Sequence, residues 1–374
     1  MGIYLDNAST TYLSKEMKEY INTILDVYGN PSSLHSIGNV AAKIIESARI
    51  NVARFINADV NDIYFTSGGS ASNTAVISGY EKDQSHLIIY SPTCHKSILE
   101  CVKKQKNMNV KELKVESDGS IYLGYLDELM LRCRDENIKP LVVVEYANSE
   151  IGTIQEVQKI VDIVHRRNGY VMFDCTGSIS TIPLDVQDID VDFVTFSGHK
   201  LGALKGCGVL YKKSNICIEP LVYGSQESGL FGGTENVLGI ASLGKAIELY
   251  DYSKINNFNR EFVYNYLIRH LSHCYIIGSV KNRLSHNLYM CFQGIDAESL
   301  MLFLDMNEIQ VSTGSACNSK SVEASPVLKA IGMNSDDMHS CIRMTFSGNE
   351  TIEELNYVCE TIVNCVTTLR ELNN

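Results

Sequence analysis

A chain of 374 residues can bury one large core with a satellite, which points to two domains rather than one or three. Hydrophobic content of 45% and charged content of 20% are those of an ordinary globular protein, while a net charge of −12 argues against nucleic acid or an anionic membrane surface as the main partner. No apolar run reaches membrane-span length and no basic region followed by an apolar block opens the chain, so the expected address is the cytoplasm.

Taken in chain order, Ile37, Ala41, Ile44, Ile45, Ala48, Val52 and Phe55 recur at helical spacing and predict a long amphipathic helix. From about residue 60 to 250, strand and helix patterns alternate. Asp62–Ser67, His86–Tyr90, Leu141–Tyr146, Gly169–Asp174 and Asp192–Phe196 are short, nearly continuous apolar strands. The intervening His95–Lys106 and Val157–Arg167 carry helical periodicity, so the expected core is a mostly parallel sheet covered on both faces. Cys207–Lys212 predicts a further strand, possible in antiparallel sense. Beyond residue 250 come a helix around Asn257–Leu271, strands at Tyr275–Ile277 and Asn287–Phe292, a helix at Glu298–Leu304, a strand at Ile342–Phe346 and a terminal helix at Ile352–Leu369. The expected division is a large domain over 13–252 and a smaller α+β domain made of 1–12 and 253–374.

Six segments carry chemistry. Phe65-Thr-Ser-Gly-Gly-Ser70 runs from a strand into a helix start, where free backbone N–H groups can hold a phosphate; a plain turn is the alternative. His95 follows a strand and opens a helix, where it is either a helix-end group or a proton relay that stacks on a ring. Asp174 ends an apolar strand, costly for a carboxylate without a partner. Lys200, in Ser197-Gly-His-Lys200, follows another strand; a strand-end lysine with an aspartate ending a nearby strand suits pyridoxal phosphate (PLP). Arg343 lies within a strand pattern and is either an edge charge or a fork for a substrate carboxylate. Cys317 sits in Ser312-Thr-Gly-Ser-Ala-Cys317 among small residues that favour an accessible thiol. The other eleven cysteines lie mostly in apolar surroundings, and without a Cys-x-x-Cys pair no metal site is expected.

Together with Tyr4-Leu-Asp-Asn-Ala-Ser-Thr-Thr11, Asn30-Pro-Ser-Ser-Leu-His35, Asn148-Ser-Glu-Ile-Gly152 and Gly233-Thr-Glu-Asn236, these segments make the chain resemble the cysteine desulfurases of the NifS/IscS type, within the class V aminotransferase superfamily. The resemblance implies the PLP-dependent transferase type I α/β fold. It also implies PLP held covalently on Lys200, with Asp174 at the ring nitrogen and His95 over the ring. Gly69, Ser70, Ser197 and His199 would hold the phosphate, joined by Thr234 from the second subunit of a homodimer, and Ser149 would lie against the cofactor. Arg343 and Asn148 would hold L-cysteine, and Cys317 would take up its sulfur as a persulfide for an acceptor protein, an iron–sulfur scaffold or a tRNA thiolation enzyme.

Departures from the family pattern fall around the ring: Ser70-Ala71 for Thr-Glu, Cys94 for Glu, Ser149 for Asn, Gly177 for Gln and Phe231 for Arg. They predict weaker PLP retention, with Gly177→Gln restoring it if nothing else fills the role. A selenocysteine lyase, a small-amino-acid aminotransferase and a non-catalytic scaffold are the alternatives.

Overall fold

The computed structural model describes residues 2–80, 86–104, 109–314 and 325–373. Among the described residues the strands are β1 (Ile3–Tyr4), β2 (Ile63–Thr66), β3 (His86–Tyr90), β4 (Val110–Glu112), β5 (Lys139–Glu145), β6 (Tyr170–Asp174), β7 (Phe193–Ser197), β8 (Gly208–Lys212), β9 (Cys274–Ile276), β10 (Asn287–Phe292), β11 (Ile309–Gln310) and β12 (Cys341–Thr345). Seven of them form one sheet in the order β2-β8-β7-β6-β5-β3-β4. The run from β7 to β4 is parallel, and β8 lies antiparallel between β7 and β2. Alternate residues of the same strands feed separate cores on the two faces: Val142, Val144, Val171 and Phe173 on one, Leu141, Val143 and Met172 on the other. Burial on both faces is why these strands carry unbroken Val, Ile and Leu runs.

A third core gathers Leu288, Met290 and Phe292 of β10, Ile342 and Met344 of β12, and Val263, Leu267, Val358, Ile362 and Val366 from the helices Phe258–His270 and Ile352–Leu372. Its sheet is antiparallel, in the order β12-β10-β9. Leu5 belongs to this core, and the Thr345 amide donates to the Leu5 carbonyl at 2.7 Å, so the N-terminal strip is tied to β12.

Most expected elements occur within a residue or two of their predicted ends. The strand β4 was not foreseen, because Val-Lys-Glu at a sheet edge has a single apolar residue. Nor was the parallel pairing of β1 with β11, two residues each and some three hundred apart in sequence. Ile37, expected on the apolar stripe of its helix, is exposed; the buried stripe begins at Gly38 and Ala41. Most of the described cysteines are buried, as expected, while Cys217 is exposed.

Candidate active site

The carboxyl ends of β5, β6 and β7 deliver Glu145, Asp174 and Ser197 to one cavity of about 320 Å³, the edge of an open α/β sheet where ligands bind. Opposite them stands the N-terminus of the helix Gly69–Tyr80. The Gly69 amide donates to Ser197 Oγ at 2.8 Å, and a Cβ on Gly69 would stand 2.8 Å from Thr176 Oγ1 and 2.9 Å from Ser197 Oγ. Only glycine leaves room there. Thr176 Oγ1 is buried with no partner, so this cradle holds an unsatisfied hydroxyl beside the first turn of a helix, a fit for a phosphate. Ser70 and His199 line the same cavity. Burial, and then Lys200 and Lys205, lower His199 to about 4, so its ring is neutral at physiological pH.

Asp174 is buried and fixed from two sides. Its Oδ2 accepts from Asn73 Nδ2 at 2.8 Å and its Oδ1 from the Thr176 amide at 2.9 Å. Asn73 is itself held, accepting from Thr195 Oγ1 at 2.5 Å and donating to Ser97 Oγ at 3.0 Å. This leaves the carboxylate rigid and aimed at a cavity it lines, suited to an acceptor for a protonated ring nitrogen. Glu145 stands opposite Asp174 in register on the neighbouring strand and also lines the cavity. Burial, then the charge of Asp174, push its carboxyl well above the usual range.

Lys200 Nζ donates to the Ser9 carbonyl at 2.8 Å and to that of Ala8. Arg343 is buried; its Nη2 reaches Asp6 Oδ1 at 2.8 Å and Ser9 Oγ at 2.9 Å, its Nη1 reaches the Ser149 carbonyl at 3.2 Å, and its Nε has no partner. The His95 Nδ1 accepts from the Ser97 amide at 3.1 Å, which in the neutral ring leaves the proton on Nε2. Asn148 lines the cavity, but its amide is fully engaged. It donates to Glu145 Oε2 at 2.7 Å and the Thr93 carbonyl at 2.9 Å, and accepts from the Glu150 and Ile151 amides. Its place in this structure is that of a brace rather than a free substrate donor.

Ser312 exchanges both backbone hydrogen bonds with Arg343, and Gly314 and Ser325 line the cavity. Cys317 falls outside the described residues. Thr234 is exposed and does not line its own chain's cavity.

The departures divide by packing. Cys94 is buried, and its thiol, pushed well up by burial, contacts the Val143 carbonyl. Phe231 packs against the core under the helix Gly69–Tyr80. A Cβ on Gly177 would stand 2.9 Å from the Ala147 carbonyl and 3.1 Å from Ser149 Cβ. A glutamine at 177 therefore requires its neighbours to shift, which weighs against its restoring cofactor binding on its own. Asn73, Glu145 and Thr176 were missed in the sequence. Thr176, two residues past Asp174, carried a weak signal; Asn73 and Glu145 lie inside a helix and strand and carried none.

The Aminotransferase class-V family model matches residues 3–358. A cysteine desulfurase IscS of Dictyoglomus turgidum is 36% identical over 99% of this chain and 96% of its own. A solved NifS-like protein superposes with a TM-score of 0.90 at 30% identity, over 99% of this chain and all of the other. The solved structure of SspA in complex with cysteine gives a TM-score of 0.81 at 27% identity over 93% of this chain and all of the other. The expected type I transferase fold is thereby borne out.

Proposed function

The chain belongs to the class-V aminotransferase family, and we propose that within it this protein is a PLP-dependent cysteine desulfurase acting on L-cysteine. The observation that carries this is the convergence of Lys200, Asp174, His95, Arg343 and the Gly69–Ser197 cradle on one cavity, beside the two ends of the segment that contains Cys317. The curated desulfurase relative and the cysteine-bound structural neighbour favour it over the aminotransferase, lyase and scaffold alternatives.

Lys200 would bind PLP, the Gly69 cradle with Ser70, Ser197 and His199 its phosphate, and Asp174 its ring nitrogen. When bound, PLP supplies an electron sink next to the substrate amine. Arg343 binds the substrate carboxylate, exchanging its contacts to Asp6 and Ser9 for a bidentate pair. Lys200 Nζ takes the substrate Cα proton. The Cys317 thiolate attacks the substrate sulfur, forming an S–S bond while the S–Cβ bond breaks with its electrons to carbon. Protons delivered through Lys200 and His95 Nε2 complete L-alanine, and Cys317 is left as a persulfide. Ser149, whose carbonyl accepts from Arg343 Nη1, would lie against cofactor and substrate alike.

The finer features of the reading are a cytoplasmic homodimer in which Thr234 completes the partner's phosphate site, and an acceptor protein, an iron–sulfur scaffold or a tRNA thiolation enzyme, that takes the sulfur. Residues 13–252 form its large domain and 1–12 with 253–374 its small one, a division supported by the separate cores. The test is to supply PLP-loaded protein with L-cysteine and measure L-alanine and sulfur on Cys317 by mass spectrometry. Both should form, and Lys200→Ala should abolish both. Failure of the wild-type protein to release alanine overturns the proposal.

A further inference from the structure

Glu145 and Asp174 are buried carboxyls at the ends of adjacent parallel strands, β5 and β6, in direct register, and both line the cavity. Neighbouring strands lie about 4.8 Å apart, so the two groups share one low-dielectric wall. Asp174 accepts from Asn73 Nδ2 on one oxygen and from the Thr176 amide on the other. Glu145 receives Asn148 Nδ2 at 2.7 Å and the His95 amide. The nearest charges that act most strongly on it are those of Asp174 and Glu150, both acidic, while Lys96, Lys200 and Arg343 face the same cavity. Two neighbouring buried carboxyls in register disfavour a second charge, and burial together with the charge of Asp174 favours the protonated form of Glu145. Two neighbouring positions of the wall offer no donor of their own. Gly177 has no side chain and no room for one, and both Asn148 amide hydrogens are used.

We infer that Glu145 is a cofactor-binding residue that works as a neutral carboxylic acid: beside the acceptor Asp174 it presents a hydrogen-bond donor to the bound ring. The pair thus offers PLP one acceptor and one donor rather than two acceptors. Glu145 also braces the site through Asn148, which in turn holds the Glu150–Ile151 turn. Because the inference rests on the PLP reading, wild-type protein is examined first: if it forms no Lys200-linked chromophore with PLP, that reading fails before this one is reached.

With PLP binding established, the test titrates the Glu145→Gln and Glu145→Leu apoproteins with PLP by visible absorbance, after circular dichroism and thermal melting show each folded. Gln keeps a donor and is neutral at every pH, so its PLP affinity at neutral pH should stay near that of the wild-type protein. Leu removes the donor and should weaken binding by about tenfold, the scale of one hydrogen bond to a charged or strongly polar group. In the wild-type protein PLP affinity should fall on the alkaline side as Glu145 ionises, and this step should vanish in the Gln variant. The infrared spectrum of the wild-type apoprotein should show a protonated carboxyl band that Glu145→Gln removes. Should Gln lose PLP as badly as Leu, Glu145 acts as an anion and the inference is wrong. Unchanged affinity in Leu, or no carboxylic-acid band to remove, overturns it equally. A misfolded Leu variant leaves the decision to the Gln titration and the infrared band.

Discussion

Around the cavity, the identity of single side chains is set by what their Cβ atoms would meet. Gly177 and Ser149 share a space: Ser149 Cβ stands 3.1 Å from where a Cβ at 177 would sit. Gly177→Gln should therefore lower the melting temperature and weaken PLP binding rather than improve it, by about 1–3 kcal/mol for overpacking. Thermal melts with and without PLP check this; a gain in both would mean the backbone yields freely. Cys317 separates cofactor chemistry from sulfur transfer. Cys317→Ser should retain the PLP chromophore and its change on adding L-cysteine, yet carry no persulfide by mass spectrometry. Desulfuration at the wild-type rate would instead fit a lyase without a cysteine relay.

Between elements, one buried ion pair fastens the helix Ser36–Phe55 to the strand that leads into the phosphate cradle. Arg49 meets both Glu227 oxygens, at 2.8 and 2.9 Å, and Glu227 also accepts the Phe65 amide of β2 at 2.8 Å. The Glu227 side chain is only 3% exposed, so losing Arg49 strands a buried acid. Arg49→Met should cost about 3–5 kcal/mol in chemical denaturation, with Arg49→Met plus Glu227→Gln recovering part of it. Equal loss in both variants would mean that the pair contributes no coupling. At the other end of the chain Thr351 and Glu354 form a reciprocal cap on the helix Ile352–Leu372, visible in the sequence as Thr-x-x-Glu ahead of apolar residues.

For the molecule as a whole, acid stability turns on histidines kept neutral inside it. Burial, and then Arg343, Lys200 and Arg260, lower His286 to about 4, and its Nδ1 has no partner. Between about 6.5, the unfolded value, and 4 the unfolded chain binds a proton that the folded one refuses, so stability present above that window is lost as pH falls through it. Glu145 and Glu150, with raised values, act in the opposite sense, losing stability as pH rises. The difference between wild type and His286→Gln cancels them. That variant should flatten the acid slope by up to about 1.4 kcal/mol per pH unit, read from denaturation midpoints at several pH values. An unchanged slope would mean His286 takes up its proton without unfolding. At the same scale, the proposed shared phosphate site predicts that Thr234→Ala weakens PLP binding, read by visible absorbance, without changing the mass in solution, although Thr234 is exposed and away from its own chain's cavity.

The apolar runs of β3, β5, β6, β7 and β10 determined their own identity as strands, because burial on both faces admits few other residues. Lys200, Asp174, His95 and the Gly69 turn were legible too, since each stands beside a strand end or helix start where its chemistry is unusual, and Arg343 because a charge inside an apolar strand is unusual. Tertiary structure alone decided what lies between them. Glu145 continues the Val142-Val-Val144 run of a strand, and nothing local says that its neighbour in register is Asp174. Asn73 sits inside a helix, and only the packing of that helix on β6 and β7 brings it to Asp174 and Thr195. The pairing of β1 with β11, and with it the placement of Ala8 and Ser9 over Lys200, rests on contacts some three hundred residues apart. Local sequence sets which segment can be a strand; which carboxyl must surrender its charge depends on the neighbour that folding supplies.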